Sequence, residues 1–131
     1  MVARLEHGEE IISRITQLAV QWRIEAGVVQ AIGALSRAEI GFYDQERLEY
    51  RRVQVEVPTE LLSFSGNISL RDGQPFLHAH AVLADGQGSL FGGHLFSGTV
   101  FACELFVQEL QGPSLHRVND RVTGLALWGE I

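Results

Sequence analysis

Two strand-like segments separated by an Asp-Gly dipeptide constrain the fold of this chain more than any other feature. Residues 60–70 and 76–84 carry extended, largely apolar sequence, and Asp72-Gly73 between them is a strong signal for a tight turn. Strands joined by so short a turn pair antiparallel. The sequence therefore predicts a central antiparallel hairpin to which the remaining segments are added.

One segment predicts a helix instead. From about residue 9 to residue 23, apolar side chains recur at three- and four-residue spacing and form one stripe. These residues are Ile11, Ile15, Leu18, Ala19 and Trp22. Glu9 and Glu10 are expected in the first turn, and Gly27 is expected to terminate the helix.

Extended sequence accounts for most of the remainder of the chain. The segments are 2–5, 28–43, 48–57, 99–110 and 123–128. Gly33 suggests a bulge in the second of them, and a turn is expected at 111–113, before the last. Both faces of 76–84 are largely apolar, and 99–110 has the same character, so both segments are expected to be buried. One helix and six to eight short-looped strands predict an α+β fold, an antiparallel sheet with the helix packed on it. The length predicts a single domain over 1–131.

Composition excludes several classes of protein. The 131 residues carry a formal net charge of −6, which argues against a broad basic surface for non-specific DNA binding. The single cysteine, Cys103, cannot form an internal disulfide, and we expect it to be a buried core residue. The charged N-terminus lacks the apolar core of a signal peptide, and no apolar run approaches the ~20 residues of a membrane span. These features predict a cytoplasmic protein with no membrane partner.

Three of the five histidines lie within seventeen residues. His78 and His80 would share one face of a strand, with Cα atoms about 7 Å apart. His94 would join them if residues 85–88 turn the chain back. Three imidazoles with an open fourth position are typical of zinc, so zinc or another divalent transition metal is the expected cofactor. The alternative is a set of hydrogen-bonded histidines at a subunit interface.

Other residues near this motif are candidates for supporting roles. Glu104 lies among apolar neighbours, so we expect a buried carboxylate that ligates the metal, orients an imidazole, or pairs with Arg117 or Arg121. Glu60 is a weaker candidate of the same kind. Gly92-Gly93 before His94 would form a sharp loop whose backbone N–H groups could hold an anion.

Several motifs together resemble the PPC domain, the plant and prokaryote conserved domain also found in plant AT-hook nuclear-localised proteins. They are Gly8-Glu9-Glu10-Ile11, residues 31–36, residues 60–68, Pro75-Phe76-Leu77-His78-Ala79-His80 and Gly92-Gly93-His94-Leu95. The resemblance runs nearly end to end. It implies an antiparallel sheet with one helix, a compact homotrimer, and a zinc-like ion held near the subunit boundary by histidines that correspond here to His78, His80 and His94.

Three functions follow as hypotheses. The first is a metal-dependent module, catalytic or binding a small-molecule ligand, with no reaction specified. The second is a DNA-associated regulator like the plant proteins, although the Arg-Gly-Arg-Pro segment of an AT-hook is absent here and the net charge is unfavourable. The third is a structural trimeric module whose histidines hold the subunits together.

Overall fold

The computed structural model describes residues 1–112 and 114–129, so Pro113 of the expected turn lies outside the described residues. One helix and eight strands occur in this part of the chain. In order they are β1 (Val2–Leu5), α1 (Ile11–Trp22), β2 (Gly27–Asp44), β3 (Glu49–Val55), β4 (Thr59–Arg71), β5 (Gln74–Asp85), β6 (Leu90–Glu109), β7 (Arg117–Asn119) and β8 (Ala126–Trp128). The α+β architecture is confirmed. No helix among the described residues is long and apolar enough to span a membrane.

The main sheet is antiparallel and closes on itself. Its strand order is β1-β6-β5-β4-β2-β3, and a further pairing of β2 with β6 joins the sheet into a ring. Most of β6 follows β2, from Gly27–Glu109 to Gly41–His94, whereas its first residues, up to His94, pair with the second half of β5. β1 and β3 extend the ring on β6 and β2 respectively, and β7 with β8 forms a separate two-stranded hairpin.

The predicted central hairpin is β4–β5. Asp72 and Gly73 both have positive φ, +53° and +75°, and Arg71 pairs with Gln74 across the turn. Positive φ at both central residues is the requirement of a type I′ turn, which matches the twist of the two strands. The Asp-Gly signal was therefore sufficient to predict this turn and the antiparallel pairing of the two strands.

The helix packs against β5 and β6. Its buried stripe consists of Ile11, Ile15, Leu18 and Ala19, as the spacing predicts. Its ends differ from the prediction. At the start, Glu10 is the N-cap, and its carboxylate accepts hydrogen bonds from the backbone N–H groups of Ile12 and Ser13, so neither glutamate lies in the first turn. At the end, Arg23 with φ +58° is the C-cap, and Gly27 begins β2 instead of terminating the helix.

The expectation that β5 and β6 are covered on both sides is wrong for the single chain. In β5 only the face with Leu77, Ala79, Ala81 and Leu83 is buried, while the opposite face is partly or fully exposed. In β6 the buried residues alternate with exposed ones, among them Phe101 and Phe106. The closed sheet has one interior, so apolar residues on the outer face remain accessible. Cys103 is buried, as predicted.

Candidate metal centre

The three histidines meet because a hairpin aligns their strands. Asp85 organises the turn between β5 and β6, and its side chain accepts hydrogen bonds from the backbone N–H groups of Gln87 and Ser89 at 2.9 and 2.8 Å. His80 and His94 are then direct register partners. His78 lies two residues from His80 on the same outer face of β5, so all three imidazoles point to one side of the sheet.

Their geometry suits a shared cation. One ring nitrogen from each of His78, His80 and His94 lies within 4.8 Å of the others. The ring centroids are 5.2 Å apart for 78–80, 5.1 Å for 78–94 and 5.6 Å for 80–94. Tetrahedral zinc with Zn–N bonds of about 2.0–2.1 Å needs its nitrogens about 3.3 Å apart, so the three rings would have to move closer together to bind it.

Burial keeps two of the imidazoles neutral. Burial lowers the pKa of His78 to about 4, with smaller contributions from the positive charge of Arg117 and from His80. Burial also lowers the pKa of His94 to about 4, with further contributions from His78 and His80. Neutral imidazole is the form that ligates a metal, so these ring nitrogens are available at neutral pH.

One buried nitrogen at the site has no hydrogen-bond partner among the described residues. It is Nδ1 of His94, which is shielded from solvent. A buried polar atom without a partner costs roughly 1–3 kcal/mol, and coordination or a bound ligand would remove that cost. The imidazole donor set, the close approach of its nitrogens and this unpartnered atom therefore all fit a divalent transition metal.

Aromatic side chains fix the ring of His94. Phe96 and Tyr50 lie with their ring centroids 4.5 and 5.0 Å from it. The guanidinium of Arg52 stacks over Phe96 at 3.9 Å and also bonds Glu39 at 2.7 Å. Tyr50 and Phe96 were not singled out in the sequence. Phe96 lies two residues after His94 on β6, a spacing that could have identified it, whereas Tyr50 lies on β3 and reaches the site through the pairing of β3 with β2.

The C-terminal hairpin adds a wall to the site. β7 and β8 lie beside a cavity of about 360 Å³ that is also lined by His78 and His94. Arg117 anchors the hairpin, donating to Asn67 Oδ1 and Ser69 Oγ of β4, each at 2.8 Å, and to the carbonyl of Ala126 at 2.7 Å. Arg117 was one of the alternative partners expected for Glu104, but its hydrogen bonds go to Ser69, Asn67 and Ala126 instead.

The two glutamates are elsewhere. Glu104 is exposed, faces Arg4 and Ile32 across the strand ladders, and is not part of the histidine cluster found among the described residues. Glu104 lies on the outer face of the ring, because its neighbours Cys103 and Leu105 occupy the buried positions of β6. Glu60 is also exposed and borders separate depressions with Ala84 and Leu61. The expectation of a buried carboxylate is therefore wrong.

Gly92 and Gly93 do not form a loop. Both lie inside β6, where they pair with Val82 and Ala81 of β5. Gly93 has φ +156°, and a Cβ there would lie 2.5 Å from the carbonyl oxygen of Gly41. The glycine therefore lets β6 pass close to β2 immediately before His94, and the expected anion-binding loop is wrong.

Comparison with known proteins places this fold and motif in context. Residues 1–111 match the family model of the Plants and Prokaryotes Conserved (PCC) domain, the PPC domain of the resemblance above. The chain is 31% and 34% identical, over 126 and 124 residues, to the bifunctional protein GlmU of two Synechococcus strains. Each match covers 92% of this chain and 18% or 19% of that protein, so the chain spans less than a fifth of these curated relatives.

Solved structures agree with the whole described fold. A metal-containing protein from Archaeoglobus fulgidus is 44% identical, with a TM-score of 0.95 and coverage of 99% of this chain and 92% of that one. A PPC protein from Pyrococcus horikoshii is 40% identical, with the same TM-score and coverage of 100% and 91%. A candidate DNA-binding protein from Ralstonia eutropha is 30% identical, with a TM-score of 0.89 and coverage of 99% and 90%.

Proposed function

The chain belongs to the Plants and Prokaryotes Conserved (PCC) domain family, and within it we propose that this protein is a metal-dependent module whose ligands are His78, His80 and His94. The observation that carries the proposal is the convergence of three imidazole nitrogens within 4.8 Å on the outer face of the ring. The metal-containing relative from Archaeoglobus fulgidus supports it. Nitrogen ligands and tetrahedral preference favour zinc among the divalent ions.

The chemistry of the site follows from what surrounds the three ligands. A zinc-like ion with three protein ligands supplies a Lewis acid with an open coordination position. The protein contributes a rigid aromatic support for His94 through Phe96 and Tyr50. It also contributes the adjacent cavity, which His78 and His94 line together with the C-terminal hairpin, so a small molecule bound there would lie beside two of the ligands. A catalytic or a ligand-binding role is consistent with this arrangement.

Metal content decides the proposal directly. Protein purified without added metal is expected to contain about one equivalent of zinc or a related ion per chain by plasma mass spectrometry. The double variant His78→Ala/His80→Ala is expected to contain almost none. A matched control, His7→Ala/His116→Ala, removes two exposed histidines outside the cluster and should retain the metal. Wild-type protein that takes up no divalent metal even after incubation with excess zinc would disprove the site.

We also propose that the chain assembles as a homotrimer in the cytoplasm, as the family resemblance implies. The support on this chain is an apolar outer patch, defined here as Val2, Ile32, Leu62 and Phe106, each of which is at least half exposed. Ser65 lines the same depression and pairs with His80, so the patch adjoins the metal site. Assembly through it would place the histidines near a subunit boundary.

DNA association is the second candidate. The Ralstonia eutropha relative, a candidate DNA-binding protein, favours it. The charges of this chain oppose it, since the net charge is −6. The arginines cluster locally at positions 47, 51 and 52, and two of them are already paired, Arg51 with Asp44 and Arg52 with Glu39. A protein that binds duplex DNA through phosphates needs unpaired basic side chains. We therefore favour the metal-dependent module.

A further inference from the structure

The cavity beside His78 and His94 carries positive charge that no described carboxylate neutralises. Arg117 and Arg71 both line it, and neither forms an ion pair within residues 1–112 and 114–129. The other arginines near the site differ, because Arg52 is paired with Glu39. Arg117 is only partly exposed, and burial together with Arg71 lowers the pKa of its guanidinium. An unpaired, partly buried cation favours a bound anion.

A metal ion bound at the site proposed above would increase this excess positive charge. Three imidazole ligands would leave the full double charge of a bound metal ion uncompensated, since no carboxylate belongs to the cluster among the described residues. Arg117 is close enough to lower the pKa of both His78 and His94. The metal position and Arg117 therefore lie on the same cavity and would act on the same occupant.

Arg117 still has hydrogen-bond donors to offer. A guanidinium has five N–H donors, and three of them are used by Ser69, Asn67 and Ala126. One N–H remains on each terminal nitrogen, which matches in number the two oxygens of a carboxylate. All three acceptors are neutral, so they hold the guanidinium in place without cancelling its charge.

The rest of the cavity is apolar. Its walls are formed by hydrophobic and aromatic side chains: Ile12, Phe76, Leu95, Phe96, Leu125 and Leu127. Its volume of about 360 Å³ lies at the lower end of the range for small-molecule sites. A strongly hydrated ion such as phosphate would leave these walls unused, whereas an apolar body attached to a carboxylate would cover them.

We propose that this cavity binds a small carboxylic acid with an apolar body of about the size of benzoate, its carboxylate held by Arg117 beside the open position of the metal. The inference rests on the proposed metal site for the second positive charge. It does not depend on the metal for the cavity or for Arg117. The C-terminal hairpin supplies Arg117 and Leu125, so it selects the ligand, whereas β5 and β6 supply the histidines.

Calorimetric titration with benzoate tests the proposal. Metal-loaded wild-type protein is expected to bind benzoate, and to bind the uncharged benzyl alcohol and the smaller acetate at least tenfold more weakly. Arg117→Met should weaken benzoate binding by about tenfold or more, the range for one hydrogen-bonded charge, at unchanged metal content. The control Arg37→Met removes an exposed arginine that does not line the cavity, and it should bind benzoate within about twofold of wild type.

A second variant is needed because Arg117→Met could also disturb the hairpin that Arg117 anchors. Leu125→Trp fills the cavity but keeps Arg117, and it should abolish benzoate binding while the metal remains. If benzoate does not bind to wild-type protein that contains one metal ion per chain, the inference is overturned. Equal binding of benzoate by wild type, Arg117→Met and Leu125→Trp would also overturn it. Chains that take up no metal refute the proposed function instead. In that case Arg117-dependent binding of benzoate would sustain the cavity assignment, and its absence would overturn it.

Discussion

Gly93 controls how closely the strand that carries His94 approaches β2. Its φ of +156° lies where side chains are rarely accommodated, and the carbonyl oxygen of Gly41 occupies the space that a Cβ would need. The neighbouring Gly92 differs, because a Cβ there would meet no atom closer than 3.5 Å. Two adjacent glycines in one strand therefore have different roles, which allows one to serve as a control for the other.

Gly93→Ala is expected to lower the free energy of unfolding by about 2 kcal/mol or more, because strained backbone and a steric clash arise together. Gly92→Ala should change it by less than about 0.5 kcal/mol. Urea denaturation of both variants without metal measures the difference. Equal midpoints for the two variants would show that the approach of β6 to Gly41 does not limit stability.

Individual residues also show what the sequence could and could not predict. The spacing of His78 and His80 and the turn at 85–88 were sufficient to predict that His94 joins them. Glu104 was assigned wrongly because its apolar neighbours suggested burial, whereas the strand alternates and places Cys103 and Leu105 inside and Glu104 outside. Apolar residues on an outer face cannot be distinguished from core residues by composition alone.

At the scale of elements, α1 is attached to the sheet through its N-cap residue, Glu10. The carboxylate of Glu10 accepts from Ile12 N at 3.1 Å and Ser13 N at 2.7 Å, and it also accepts from Gly98 N of β6 at 3.1 Å. One side chain therefore satisfies the helix N-terminus and joins the helix to the strand that carries His94. A capping residue with a tertiary contact contributes more than local helix stability.

Glu10→Ala is expected to cost about 1–2 kcal/mol of stability, the upper part of the range for loss of an N-cap. Thermal unfolding followed by circular dichroism measures it, and the midpoint should fall by several degrees. Glu46→Ala, which removes an exposed carboxylate outside this network, is the control. Equal midpoints of thermal unfolding for the Glu10 and Glu46 variants would contradict the role of Glu10 as a stabilising cap.

Most strands were predicted, and their burial was predicted less well. β7 was not predicted, and β6 begins at Leu90, whereas the sequence predicted a strand only from residue 99. β4 and β5 could be predicted because a local turn signal determines their pairing. The pairing of β2 with β6 could not, because partners such as Gly27 and Glu109 are far apart in sequence and no local pattern encodes their register. The short β8 begins at Ala126 and not at residue 123, because Asp120 and Thr123 form a turn through the 2.6 Å hydrogen bond of the Thr123 hydroxyl to the Asp120 carboxylate.

At the scale of the whole molecule, the outer patch predicts self-association. Exposed apolar residues grouped on one face are typical of an interface between subunits. Wild-type protein is expected to have a mass near three times the 14.5 kDa of one chain by light scattering after size-exclusion chromatography. Phe106→Arg should shift it toward the mass of one chain, because a charge would be buried in the interface.

Phe42→Arg provides the matched control for that measurement. Phe42 is 68% exposed, compared with 50% for Phe106, but it does not line the depression that contains the patch. The Phe42 variant should keep the wild-type mass. Dissociation by both substitutions, or by neither, would exclude the outer patch as the contact between subunits.

Closure of the ring has a consequence for how the chain folds. β4–β5 and β2–β3 are local hairpins that can form early, but β6 must be complete before it can reach β2. Until that late step, the long flanks of β2 and β6 offer unsatisfied backbone groups to other chains. We expect refolding to be slow and to lose yield as protein concentration rises, with the nascent sheet rather than the finished one prone to aggregate.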